Sequence, residues 1–300
     1  MSDRVTAALW SPGPVPERSA PEGRGATRTT LPIRVEFTRQ ISQWRVRGVL
    51  IILAALPIVI RLAFLIGGGG ADAGRGGGPS LADFAQVSGT TFTSFVLVIT
   101  GGFLLTLVVA LLFGDMIAGE SSRSTLKYLL TIPVGRTRLL FVKVVVSATL
   151  FVVGVLLLTG MSLLVGIVSF GVGGIQVPAG PTLGLGESLL RILAAVVLIC
   201  AHLSWAAALG TLLTVYTDTP LAAAGGVVIA SIVSSILEQI GDLGEVRTFL
   251  PTWHSNAFSQ FFAARVDYGL VADSVLSALI YSLIFTVGAV LWFRRKNISS

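Results

Sequence analysis

Residues 119–143 read "GESSRSTLKYLLTIPVGRTRLLFVK". Five cations (Arg123, Lys127, Arg136, Arg138 and Lys143), one carboxylate (Glu120) and a Pro-Val-Gly turn interrupt a sequence that is otherwise mostly apolar. Long apolar runs flank the stretch on both sides. A run of about 20 apolar residues crosses a bilayer as a helix, so the polar stretch between two such runs is a loop outside the lipid. How many runs surround it, and which way it faces, decides the fold.

Working outward, six segments meet the length requirement: 48–66, 93–113, 142–169, 189–215, 221–241 and 272–293. The third and fourth are long enough to tilt or to project beyond the bilayer. Asp218 and Pro220 in "YTDTP" stop the fourth helix and start the fifth. Composition agrees. The chain is 53% hydrophobic and 12% charged, with a mean hydropathy of +0.86, whereas a soluble domain carries about 25% charged residues.

The cations set the orientation. Eight arginines precede the first span, five cations lie in the 119–143 stretch, and Arg294, Arg295 and Lys296 follow the last span. Sixteen of the 21 cations therefore share one side, which the positive-inside rule makes cytoplasmic. Both termini are then expected in the cytoplasm of a multi-pass protein of the cell membrane. The pI near 10.1 and net charge of +6 reflect this placement and do not argue for nucleic acid.

Residues 1–30 are polar and rich in Pro, Gly, Ser and Arg, a composition expected to stay disordered. No cleavable signal peptide is expected, and the first span is read as an uncleaved anchor. In residues 31–47, Ile33, Phe37, Ile41 and Trp44 recur at helical spacing, which predicts an amphipathic helix at the inner interface. The Gly-rich 67–80 stretch is a linker and lacks the features of a phosphate loop. Residues 242–271 mix aromatic and polar side chains. Short interfacial or re-entrant helices are expected there, with Phe258, Phe261 and Phe262 dipping into the outer interface.

Within 114–143, Gly114 and Gly119 are expected to bend the chain as it leaves the second span. Residues 122–132 predict a short helix with Leu126, Leu129 and Leu130 on an apolar edge and Arg123 and Lys127 on a polar one. Pro133 ends it. Arg136, Arg138 and Lys143, taken singly, read as topology determinants, and Glu120 as a helical-spacing partner for Arg123 or Lys127.

The ordered pattern Gly119-Glu120…Ser124-Thr125-Leu126-Lys127…Leu129-Leu130…Pro133-Val134-Gly135-Arg136…Lys143 resembles the membrane-spanning subunit of ABC exporters of the type-two permease family. Ser124 stands where Gly is usual and Gly135 where Ser is usual. The basic "FRRKNI" ending is also similar, and the likeness runs over roughly 31–298. The resemblance implies an all-α integral membrane protein: six transmembrane helices, an N-terminal interfacial helix, and a cytoplasmic coupling helix in 114–143. It implies no catalytic centre and no cofactor in this chain, with ATP and Mg bound by a separate ABC ATP-binding subunit. Glu120, Arg123, Lys127 and Arg136 would meet that subunit through polar contacts, and Leu126, Leu129 and Leu130 would fill its cleft. A second permease, identical or homologous, would complete the unit.

Charges inside spans are costly in lipid and mark candidate pathways. Arg61, after Pro57, and Glu238, near the outer end of the fifth span, are the candidates for a substrate path. Glu238 is expected to pair with Arg61, Arg191 or Arg247. Gly225, Gly226, Ser231, Ser234 and Ser235 give the fifth span a small-residue face suited to close packing, with a subunit interface as one reading of it. The apolar spans favour an amphiphilic or lipid-like cargo or a drug. Two rival classes remain open. A secondary transporter or channel would need mid-membrane carboxylates, and none is present. An intramembrane serine protease would need Ser162, in Gly160-Met161-Ser162-Leu163, with His202 as base.

Overall fold

The computed structural model describes residues 33–67, 81–121, 136–177 and 180–295. These form α1 (Ile33–Ile41), α2 (Trp44–Ile66), α3 (Leu81–Ala85), α4 (Gly89–Gly101), α5 (Phe103–Ser121), α6 (Arg136–Phe170), α7 (Leu185–His202), α8 (Ser204–Tyr216), α9 (Pro220–Leu237) and α10 (Tyr268–Arg295). Two 3-10 segments, Gly241–Phe249 and Ala257–Phe262, connect α9 to α10. Strands are absent among the described residues, apart from one isolated bridge between Gln176 and Thr182. The protein is an all-α integral membrane protein. Five helical stretches are long and apolar enough to span a bilayer, with α7 and α8 together forming one of them. Counted together as one broken span, the bent pair α4–α5 brings the number to six.

That bend departs from the expected one. The axis turns by 60° between α4 and α5, at Gly102, while α5 runs without interruption through Gly114. Gly101 has a packing reason to be glycine. A Cβ there would lie 2.5 Å from the Phe258 ring, which the segment between α9 and α10 inserts into the bend. Phe258 is therefore buried in protein, and Phe261 and Phe262 pack partly against the same core, whereas the sequence placed all three in the lipid interface. Gly114 serves close approach: its Cβ would lie 2.7 Å from the Ala224 amide of α9. On the α8 side of α5, Thr214 donates to the Gly114 carbonyl (2.8 Å) and accepts from the Ala118 amide (3.0 Å). In an apolar bundle, such hydroxyl-to-backbone bonds and small residues take over much of the role that water-driven burial plays elsewhere.

Helix α6 is the long central element, packed by α1, α2, α4 and α5. α8 holds α5, α9 and α10 together. At the opposite end of the bundle from the 122–135 stretch, Ser88 caps α4 through the Thr91 amide (3.2 Å) and donates to Gly174 O (2.8 Å). Thr90 donates to Gly173 O (2.7 Å), fastening the loop after α6 to the start of α4.

The N-terminal segment is not one helix. α1 stops at Ile41. The Ser42 hydroxyl takes the Thr38 carbonyl (2.7 Å), and Gln43 is extended (φ −69°, ψ 131°) before α2 begins at Trp44. The Ser42 amide keeps the same carbonyl (3.1 Å), and a hydroxyl back-bond of this kind is known to bend helices. Phe37 and Ile41 pack against the core, but Ile33 faces outward and Trp44 is 81% exposed. The fully buried residues of α1 are Glu36 and Gln40. Its bundle-facing side is thus polar at its centre, which periodicity of apolar residues does not reveal.

Candidate functional site

The helices that enter and leave the 122–135 stretch are α5 and α6. Near their ends facing that stretch the structure gathers a cluster of charges. Glu36 of α1 and Lys143 of α6 form an ion pair of 2.9 Å, each side chain only 1% exposed. Gln40 donates to Glu36 Oε1 (3.1 Å), and Ser147 of α6 donates to Gln40 Oε1 (3.4 Å). Arg39 lies one turn along α1, 3.7 Å from Glu36 Oε2. Arg45, at the start of α2, pairs with Asp115 of α5 at 2.9 Å. One pair thus ties α1 to α6, and a second ties α2 to α5.

A buried carboxylate is disfavoured by desolvation, but here that cost is outweighed. Burial pushes Glu36 up; the Lys143 ammonium beside it, then Arg39 and the Gln40 amide, hold it below its ordinary value of 4.5. Glu36 is therefore ionised at neutral pH. Lys143, expected as a topology determinant, is buried together with Glu36 in this pair. Neither Glu36 nor Asp115 was singled out from the sequence. A Glu facing the apolar side of a predicted interfacial helix was the signal for the first of them; its partner is 107 residues away.

Of the residues expected to contact a partner, Glu120 falls in the last turn of α5 and Arg136 begins α6, but their side chains lie outside the described residues. Arg123, Leu126, Lys127, Leu129 and Leu130 lie outside them altogether, as does the 1–30 tail. Arg138 is exposed at the foot of α6.

The two substrate-path candidates are not brought together. Arg61 stacks over the Phe170 ring at 4.7 Å, a cation–π contact that joins α2 to the C-terminal end of α6. Glu238 accepts from the Thr252 hydroxyl at 2.9 Å. The expected pairing of Glu238 with Arg61, Arg191 or Arg247 is overturned. Arg191 is held by Glu187 (2.7 Å) and the Ala263 carbonyl (2.8 Å), and Arg247 lies 5.0 Å over the Trp253 ring. Each of the three cations is engaged by a different partner. The small-residue face of α9 is also partly used inside the chain: Ser234 bonds Thr252 (2.6 Å), and both are buried.

The residues of the protease reading do not form a dyad. Ser162 donates to the Leu158 carbonyl of its own helix (2.7 Å), and His202 Nδ1 lies 3.0 Å from the Ser274 hydroxyl.

The comparison with known families covers α2 to α8. The sequence profile of the ABC-2 family transporter proteins matches residues 44–217, more than half of the chain. No curated protein matches it. α9, the two 3-10 segments and α10 lie beyond the matched range. The match and the helical membrane architecture agree with each other, and the chain belongs to the ABC-2 family of transporter proteins, as a multi-pass membrane permease of an ABC system.

Proposed function

We propose that the protein is the permease subunit of an ATP-driven exporter, working with a separate ABC ATP-binding subunit that docks on residues 114–143. In this reading both termini face the cytoplasm and the chain resides in the plasma membrane, as the distribution of cations suggests. ATP and Mg are bound by the partner. Two permeases, identical or homologous, and two ATPase subunits form the working unit. Glu120, Arg123, Lys127 and Arg136 make polar contacts to the partner, and Leu126, Leu129 and Leu130 occupy its cleft.

The observation that carries this reading is the fastening of both stems of the loop. α5 enters it and α6 leaves it, and ion pairs bind each stem to the N-terminal helices. A displacement delivered to the loop is then transmitted to α1, α2, α5 and α6 together rather than absorbed by a slack connection. Such rigid-body transmission is how a small movement at one site becomes a rearrangement of packed helices. A gradient-driven transporter has less support, because no Asp or Glu lies near the middle of any span.

The test is co-purification. Tagged full-length protein is extracted in mild detergent from cells of its source, and the associated proteins are identified and assayed for ATP hydrolysis. Wild type is expected to retain an ABC ATPase, and a Glu120→Arg, Lys127→Glu double variant to lose it while remaining monodisperse. Folded wild type without any ATPase would overturn the proposal.

A further inference from the structure

Two spans are interrupted at one place in the bundle. The second bends by 60° between α4 and α5, and the fourth changes from α7 to α8 at Leu203. Gly101, Gly102 and Leu203 line a common cavity of about 260 Å³, which α9 and the segment between α9 and α10 complete. Phe103, Ile232 and Ile236 also line it and are exposed on the outside of the bundle. The cavity therefore opens between α5 and α9, where an apolar surface meets lipid.

The polar groups around it are not spent on the protein. Trp205 lines the cavity with its side chain 1% exposed, and its indole Nε1 is buried without a hydrogen-bond partner among the described residues. A buried donor of this kind is normally satisfied. His202, three positions earlier and so on the same side of the chain, lines the cavity too. Its Nδ1 lies 3.0 Å from the Ser274 hydroxyl, which donates to the His254 carbonyl (3.3 Å). A hydroxyl has one hydrogen to give, so Ser274 accepts from Nδ1–H. A buried imidazole with no anionic partner is neutral, which leaves Nε2 a bare acceptor. Ser231 and Ser235 of α9 add two more hydroxyls to the lining. Thr106 and Ser162 give theirs to the carbonyl one turn back (2.7 Å each), whereas Ser231 and Ser235 donate to nothing among the described residues.

Two further facts narrow what fits. No Lys, Arg, Asp or Glu lines the cavity, so a charged headgroup would be buried uncompensated. The volume falls short of the roughly 300–1,000 Å³ of sites that enclose a whole drug-sized molecule, so it holds a headgroup while the body leaves through the mouth. We propose that this cavity binds the hydroxyl head of a neutral, alcohol-type amphiphile. The hydroxyl accepts from Trp205 Nε1 and donates to His202 Nε2, with Ser231 and Ser235 beside it. The hydrocarbon body passes Phe103 and Ile236 into the bilayer. A hydroxyl both donates and accepts, as the indole and imidazole together require. An ether or a carboxylate only accepts, and an ammonium only donates. The site rests on the membrane architecture and not on the docking proposed above.

The test uses the full-length permease alone, without any ATPase, so a failure here leaves the docking proposal standing. Protein in maltoside is irradiated with a hexadecanol that carries a diazirine in mid-chain, and the labelled residues are mapped by peptide mass spectrometry. Saturable labelling is expected in the α5 and α9 peptides that contain Phe103 and Ile236. Unlabelled hexadecanol should compete at least tenfold better than palmitate or hexadecyl methyl ether, which share its chain. Trp205→Phe keeps the ring shape and removes one donor, and is expected to weaken competition about fivefold, the scale of one net hydrogen bond. Ser231→Leu fills the cavity and is expected to abolish labelling at these peptides. Equal competition by the alcohol, the ether and the acid would show simple partition onto an apolar surface and would overturn the proposal. So would labelling that survives both variants unchanged. An absence of saturable labelling in folded wild type would also overturn it, leaving the cavity to water.

Discussion

Glu36 and Lys143 carry the sharpest consequence at the scale of single residues. Two charges at 1% exposure are tolerated because each cancels the other's desolvation, and removing one leaves the other stranded. Breaking a buried pair costs about 3–5 kcal/mol, whereas replacing both members with apolar residues of similar size is often neutral or better. Glu36→Ala is therefore expected to lower unfolding stability by an amount on that scale, and Glu36→Met with Lys143→Met to recover most of it. Thermal unfolding of the single and double variants in detergent measures this. pH gives an independent readout. The carboxylate's folded-state value lies below its ordinary 4.5, so its stabilisation is full above that ordinary value and drains away as pH falls through the lower folded-state value. Wild type is expected to lose unfolding temperature more steeply below about pH 4.5 than Glu36→Gln, scanned from pH 7 to 3. Identical slopes would show that the pair contributes no proton-linked stability.

At the scale of elements, glycines divide by what their missing Cβ would meet. Gly89 and Gly166 let α4 and α6 cross in contact. A Cβ on Gly166 would lie 2.7 Å from the Gly89 carbonyl oxygen, and one on Gly89 would lie 2.7 Å from the Ile167 amide. Backbone cannot yield as a flexible side chain does, so overpacking there costs about 1–3 kcal/mol. At Gly225 of α9, by contrast, a Cβ meets nothing within 4 Å. Alanine there recovers only helix propensity, about 0.8–1 kcal/mol in favour of the variant. Gly166→Ala is expected to lower the unfolding temperature and Gly225→Ala to leave it unchanged or raise it. The reverse order would contradict the close crossing. The sequence marks both residues identically, as glycines in apolar runs.

At the scale of the whole molecule, the proposed orientation makes opposite ends of the bundle chemically distinguishable. Arg138, exposed at the foot of α6, lies on the cytoplasmic side in this reading, and Glu187, at the first turn of α7, lies outside. In a Cys200→Ala background, Glu187→Cys is expected to react with a membrane-impermeant maleimide on intact cells. Arg138→Cys should react only after permeabilisation. Labelling in the opposite sense would invert the topology and with it the docking face. Much of this scale was legible in advance. Apolar runs of bilayer length and sixteen cations on one side are one-dimensional signals, and the family pattern in 119–143 agrees with the profile match over 44–217.

Hydropathy and charge order thus determined the class of protein, the number and approximate limits of the spans, and the prominence of the 119–143 stretch, because lipid imposes requirements that act residue by residue along the chain. Tertiary structure alone decided that the second span bends at Gly102 and not at Gly114, since the bend answers to Phe258 arriving from more than 150 residues away. It also decided that α1 turns Glu36 inward and that Lys143 is a buried partner rather than a surface anchor. Those outcomes depend on which distant side chain reaches a given point in space. A pair separated by 107 residues leaves no periodic trace in the sequence; only the packing of α1 against α6 brings the two charges to 2.9 Å.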